Sequence, residues 1–112
     1  MLRLINLKEN NPTVDYALAV VEIEIENAAK EGVTVIKVLH GYGSHGKGGA
    51  ILLALRARLR ELKRQGKIKD FFGGEKWGYF TEPTMQILQA DKSIGLDEDL
   101  GKANPGITLI WL

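Results

Sequence analysis

Apolar and polar positions along the 112 residues change period several times, and each change marks an element. Leu2-Arg3-Leu4-Ile5-Asn6-Leu7 roughly alternates, as a short strand does when one face is buried. Asn10-Asn11-Pro12 interrupts it, and Thr13 is a good N-cap for a helix. Val14, Leu18, Val21, Ile25 and Ala28 then fall three or four apart, a single stripe that predicts a helix from Val14 to about Glu31, stopped by Gly32. Glu22-Ile23-Glu24-Ile25-Glu26 alternates like a strand, but the flanking alanines favour the helix. Val33–Leu39 is β-branched and nearly all apolar, the pattern of a strand covered on both faces. After a glycine-rich stretch, a second helix is predicted from Ala50 to about Gln65, with Ile51, Leu52, Leu55, Leu59 and Leu62 on its inner side and Gly66 at its end. Lys67–Phe72 and Ile107–Leu112 read as the third and fourth strands. The 34 residues from Gly73 to Gly106 exceed any ordinary hairpin turn. Pro83 can open a short helix through Met85, Ile87 and Leu88, while 91–105 is polar and reads as a mobile excursion.

The order β-α-β-α-β-β predicts an α/β domain of the two-layer α+β kind: two helices packed on a mixed sheet, joined by right-handed crossovers. Residues 1–112 are one such domain, with 73–104 inserted between the last two strands. A hydrophobic share of 45% beside 26% charge excludes wholesale disorder. The absence of cysteine excludes disulfides, thiolate metal sites and cysteine nucleophiles. No apolar run approaches the roughly 20 residues of a membrane span. Met1–Asn6 lacks the apolar core of a signal peptide, so a cytoplasmic protein is expected, with no membrane partner.

Net charge is only +1, but it is unevenly placed. Residues 1–31 carry three basic and six acidic side chains, 32–69 nine and one, and 70–112 three and seven. The middle third therefore makes a local positive field, on which polyanion binding depends.

Within that third, His40-Gly41-Tyr42-Gly43-Ser44-His45-Gly46-Lys47-Gly48-Gly49 joins a buried strand to a helix. Glycines there allow positive φ and leave N–H groups uncovered, and the helix dipole adds partial positive charge, so the stretch suits an anion. Gly41-x-Gly43-x-x-Gly46 spells a dinucleotide fingerprint, but the chain is too short for two mononucleotide halves and offers no acidic residue at the next strand's end. Gly41-x-x-x-x-Gly46-Lys47 begins a Walker-type loop, but Gly48 replaces the hydroxyl that must hold magnesium. The generic features survive: amides, Lys47, and two histidines. His40 ends the strand, where open α/β sheets place ligands; it can meet a phosphate, act as acid or base, or be a hydrogen-bonded structural residue. His45 lies in the loop. Two histidines alone make no metal site.

On the second helix, Arg56, Arg60, Lys63, Arg64 and Lys67 fall within about 100° of one another, with Arg58 on the opposite flank and Glu61 the only acidic residue. Such a sector can follow a phosphate backbone. Trp77, Tyr79 and Phe80 can stack on unpaired bases, although such clusters more often pin an excursion to the core.

Four segments together resemble the small MutS-related (Smr) domain: Thr13–Leu18 at the start of the first helix, Val35–Gly43 running into His-Gly-x-Gly, the basic second helix, and Gly106–Ile110 in the last strand. The likeness spans about 1–72 and 105–112 and leaves 73–104 unmatched. It implies a fold like the C-terminal domain of bacterial translation initiation factor three. It also implies nucleic-acid binding, with endonuclease activity in some members. That family carries a first-strand Leu-Asp-x-His motif beside the glycine loop, where this chain has Ile5-Asn6-Leu7-Lys8. Asn6 is neither a base nor a strong metal ligand, and Lys8 supplies charge without proton transfer near pH 7.

The expected function is therefore binding of DNA or RNA, with Lys8 and Lys47 on phosphate, His40, Gly41, Gly43, His45 and Gly46 shaping the loop, and Arg56, Arg60, Lys63 and Arg64 extending the contact. No cofactor is expected. One alternative is a nuclease that uses His40 and a divalent metal with carboxylates such as Asp15 or Glu9. Another is a protein-interaction module in which the acidic 70–112 segment covers the basic face or docks a partner.

Overall fold

A computed structural model of the protein describes residues 1–9, 12–41 and 48–112. The elements run in the order β1 (Leu2–Asn6), α1 (Val14–Lys30), β2 (Val35–Leu39), α2 (Gly48–Arg64), β3 (Asp70–Gly73), α3 (Glu82–Ala90) and β4 (Ile107–Trp111). Short 3-10 turns occupy Gly74–Lys76 and Lys92–Leu96. The Thr13 side chain caps α1 by accepting from the Tyr16 amide at 3.1 Å, as its position before the apolar stripe predicts. α2 begins at Gly48, inside the glycine-rich stretch, and gives way to a left-handed Gly66 (φ 77). β3 starts three residues later than the sequence suggests, because the Lys67 amide still closes α2 by donating to the Leu62 carbonyl.

The sheet order is β1-β2-β4-β3. β1 and β2 are parallel, with Asn6 opposite Leu39, and the other two neighbouring pairs are antiparallel. α1 and α2 cover one face. Ala17, Val21, Ile25 and Ala28 of α1 and Ile51, Leu55, Leu59 and Leu62 of α2 are buried there against Ile5, Ile36, Val38 and Ile110. The buried line of α1 runs through Ala17, with Val14 and Leu18 only half-buried at its border, so the stripe read from large residues alone sits slightly off centre. Each fully buried aliphatic side chain contributes about 1.5–3 kcal/mol relative to exposure, so this face alone outweighs the cost of leaving Leu53 and Ile23 in solvent.

The other face is also covered. Trp77, Ile87, Ile94 and Leu100 are buried against Val35, Phe72, Ile107 and Leu109, so residues 73–104 add a third layer to the expected two. The segment predicted to be a mobile excursion, 91–105, contributes Ile94 and Leu100 to that core. The predicted short helix is α3, with Pro83 in its first turn and Thr84 and Ile87 buried. Trp77 pins the segment, lying 6.0 Å from Phe72 between ring centroids, whereas Tyr79 and Phe80 remain exposed. No helix among the described residues is long and apolar enough to cross a membrane.

A buried ion network fixes this layer. Lys37 points from the middle of β2 into the second face and donates to Asp97 at 2.8 Å and Asp99 at 2.7 Å. Asp97 also accepts the Trp77 indole N–H at 2.9 Å, and Asp99 accepts from Asn104 at 3.2 Å. Burial alone would push the Lys37 ammonium down, but the two carboxylates outweigh it and hold its pKa above the usual 10.5. Asp99 is held below its usual 3.8, chiefly by its hydrogen bond to Lys37.

Candidate functional site

Parallel pairing brings the C-terminal ends of β1 and β2 side by side, and the Leu7 amide extends the ladder by donating to the Leu39 carbonyl at 2.9 Å. This is the end of the sheet at which open α/β folds commonly place ligands. Asn6, in the position where the Smr resemblance expects a carboxylate, accepts the Lys8 amide on Oδ1 at 2.9 Å and so shapes the turn leaving β1. That turn sets the stem of Lys8 over Gly41. A Cβ on Gly41 would stand 3.7 Å from Lys8 Cδ and Cε. Gly41 also has φ 78, a left-handed conformation that a side chain would strain. Its amide is not one of the uncovered donors expected of the loop: Gly41 and His40 both donate to the Gly106 carbonyl at 3.0 Å.

His40 is buried, and both ring nitrogens are occupied from within the chain. A carbonyl can only accept, so Nδ1 carries the proton and donates to Gly41 O at 2.7 Å. Nε2 is then the acceptor for the Thr108 hydroxyl at 2.8 Å. Desolvation pushes the imidazole below its usual 6.5 against the opposing Gly41 hydrogen bond, and the nearby Arg56 charge adds to the lowering while Glu75 opposes it. His40 is thus a neutral strut that ties the strand end to β4. Of the alternatives for this residue, the geometry matches the hydrogen-bonded structural one.

Neither carboxylate expected to complement His40 is among the groups that hydrogen-bond it or bear on its charge. Asp15 is exposed in the first turn of α1, and Glu9, also exposed, faces Asn6 Nδ2 at 3.4 Å. The carboxylate whose charge reaches His40 is Glu75, which comes just after β3 and which no local sequence pattern singles out. No group of three His, Asp or Glu among the described residues is placed to hold a metal ion.

Glu75 stands opposite Arg56. The Arg56 Nη2 and Glu75 Oε1 are 3.8 Å apart, too far for a hydrogen bond, while the buried Arg56 Nε has no hydrogen-bond partner among the described residues. Both head groups occupy the space above Gly73 that a side chain there would fill. Beside them a cavity of about 260 Å³ is lined by Arg56, Phe71, Phe72, Gly73, Glu75 and Lys76.

The cationic sector of α2 is less uniform than the helical wheel suggests. Lys63 pairs with Asp70 at 3.0 Å, and the Arg64 Nε donates to Glu61 at 3.0 Å. Arg58, on the other flank, holds Glu22 at 2.6 and 2.8 Å and bridges the two helices. Arg60 is exposed and has no carboxylate within 4 Å among the described residues. Three carboxylates from 61–75 therefore interleave five cations, leaving a surplus of two rather than five. Such exposed pairs are weak and screened, so the surface keeps a positive bias without forming a continuous stripe. Gly43, His45, Gly46 and Lys47, also expected at the site, lie outside the described residues.

No family model and no curated protein sequence matches the chain. A solved structure does: the Smr domain of MutS2 from Thermus thermophilus, at TM-score 0.61 and 24% identity, with 98% of this chain and 96% of that one covered. That coverage takes in 73–104, which sequence resemblance leaves unmatched. The protein has an Smr-like fold, with three helices on a four-stranded mixed sheet.

Proposed function

We propose that the domain binds nucleic acid through its phosphates, at the end of the sheet where β1 and β2 stop and α2 begins. The observation that carries this reading is the placement of Lys8 and Arg56, from distant parts of the chain, around the buried His40-Gly41 corner. The N-terminal end of α2 adds its partial positive charge at the same place. Gly43, His45, Gly46 and Lys47 follow this corner in the sequence. Arg60, with Lys63 and Arg64 beyond it, extends the field along α2. Backbone contacts of this kind serve single or double strands of DNA or RNA. Binding without hydrolysis is the better-supported form, because His40 has no ring nitrogen to spare and Asn6 stands where a carboxylate is expected.

Fluorescence anisotropy with short DNA and RNA strands over a series of salt concentrations tests this. The logarithm of affinity should fall linearly with the logarithm of salt, with a slope of about −2 to −4 for three to five phosphate contacts. Lys8→Ala and Arg56→Ala should each make that slope shallower by about one. Absence of binding at the lowest ionic strength would refute the reading.

A further inference from the structure

Among the described residues, Arg56 is the cation with a buried N–H donor that lacks an acceptor. A guanidinium offers five N–H donors in a rigid fork, best used by two oxygens of one anion. Here the buried Nε has no acceptor, and the carboxylate at hand stands 3.8 Å from Nη2. Leaving a buried donor unpaired is costly, which makes Arg56 receptive to an anion that reaches Nε and Nη2 together. The adjoining cavity of about 260 Å³ has room for a phosphoryl group with water, each water taking about 30 Å³. Lys76 lines it as a second cation, and the bare backbone of Gly73 lets the Arg56 and Glu75 head groups lie over the strand end.

We infer that the cleft between α2 and β3 is a phosphoryl-binding subsite anchored by Arg56, and that Glu75 is its built-in competitor, displaced when phosphate arrives. This rests on the reading of the strand end as a phosphate-binding surface and names the residue that sets its affinity. Glu75 comes from the acidic C-terminal third, so the cation and its competitor belong to the oppositely charged blocks of the sequence. The same chemistry is offered by an internal diester or by a terminal phosphate.

The test monitors the Arg56 Nε–H resonance of the 15N-labelled full chain, assigned by its loss in Arg56→Lys. Added inorganic phosphate should move it saturably, and Glu75→Gln should lower the half-saturating concentration about two- to fivefold, the scale of a weak ion pair. Asp70→Asn removes the same charge from the same face without touching Arg56 and should change that concentration less. Equal effects of the two substitutions would reduce Glu75 to part of a general field and overturn the inference. So would an Arg56 resonance that neither phosphate nor oligonucleotide moves. Oligonucleotides with a 5′-phosphate, a 3′-phosphate or neither separate the sources: equal shifts mean internal diesters, and a preference for one end means a terminal phosphate. Salt-dependent oligonucleotide binding with an unmoved Arg56 would retain the nucleic-acid reading and reject this subsite. Phosphate binding at Arg56 without any oligonucleotide binding would do the reverse.

Discussion

Lys37 and Arg56 are both partly or wholly buried cations beside the same sheet, on opposite faces, and their surroundings differ completely. Lys37 has two carboxylates within 2.8 Å, which are themselves tied to Trp77 and Asn104. Arg56 has one carboxylate at 3.8 Å and an Nε with no partner among the described residues. A charge removed from water must be paired closely or it destabilises the fold. Lys37 meets that condition and holds the third layer in place. Arg56 does not, and it lies at the end of the sheet proposed to bind phosphate. Close pairing thus separates Lys37, a structural cation, from Arg56, the cation proposed to bind.

The largest expected effect comes from breaking the satisfied side. Lys37→Met leaves Asp97 and Asp99 facing an apolar core and should cost about 3–5 kcal/mol in denaturant unfolding, a large part of the roughly 5–15 kcal/mol of a typical domain. A loss under about 1 kcal/mol would mean that the carboxylates swing out to solvent freely.

Thr108→Val is smaller in effect: it strands the His40 Nε2 and should cost about 1–3 kcal/mol at neutral pH. The pH dependence sharpens the point. His40 titrates below 6.5 in the folded chain, so the unfolded chain takes up its proton first as the pH drops. Stability should be level above pH 6.5 and decline below it, and His40→Gln should flatten that decline. A second loss, from Asp99, belongs below its usual 3.8 and should survive in His40→Gln. The smallest effect is expected at the exposed Arg64–Glu61 pair, where Arg64→Ala should leave the unfolding midpoint within error of the unsubstituted chain.

The helical face is legible because its signal is local. Stripes at three- and four-residue spacing name the inner sides of α1 and α2, and Thr13 and Gly66 mark real helix ends. The second face has no such period. Trp77, Ile87, Ile94 and Leu100 are spread over 3-10 turns, a short helix and irregular backbone, so a chain that packs reads as an excursion. Lys37 looks like one polar residue in an apolar strand because its partners are 60 and 62 residues away. For the candidate site, sequence sets Lys8 beside the His40-Gly41 loop through the Smr resemblance and puts Arg56 in the helical sector that extends the contact. It misses Glu75, because only the sheet order carries the end of β3 to α2, and it takes as uncovered an amide of Gly41 that Gly106 already engages.

The most direct test of a phosphate-binding corner is to add a short oligonucleotide to the 15N-labelled chain at low salt and observe every backbone amide. The account predicts that the largest shifts cluster at Lys8, His40, Gly41 and the first turns of α2, and fade as salt is raised. Shifts centred on α3 and the Lys92–Leu96 turn would place the ligand on the opposite layer and contradict it.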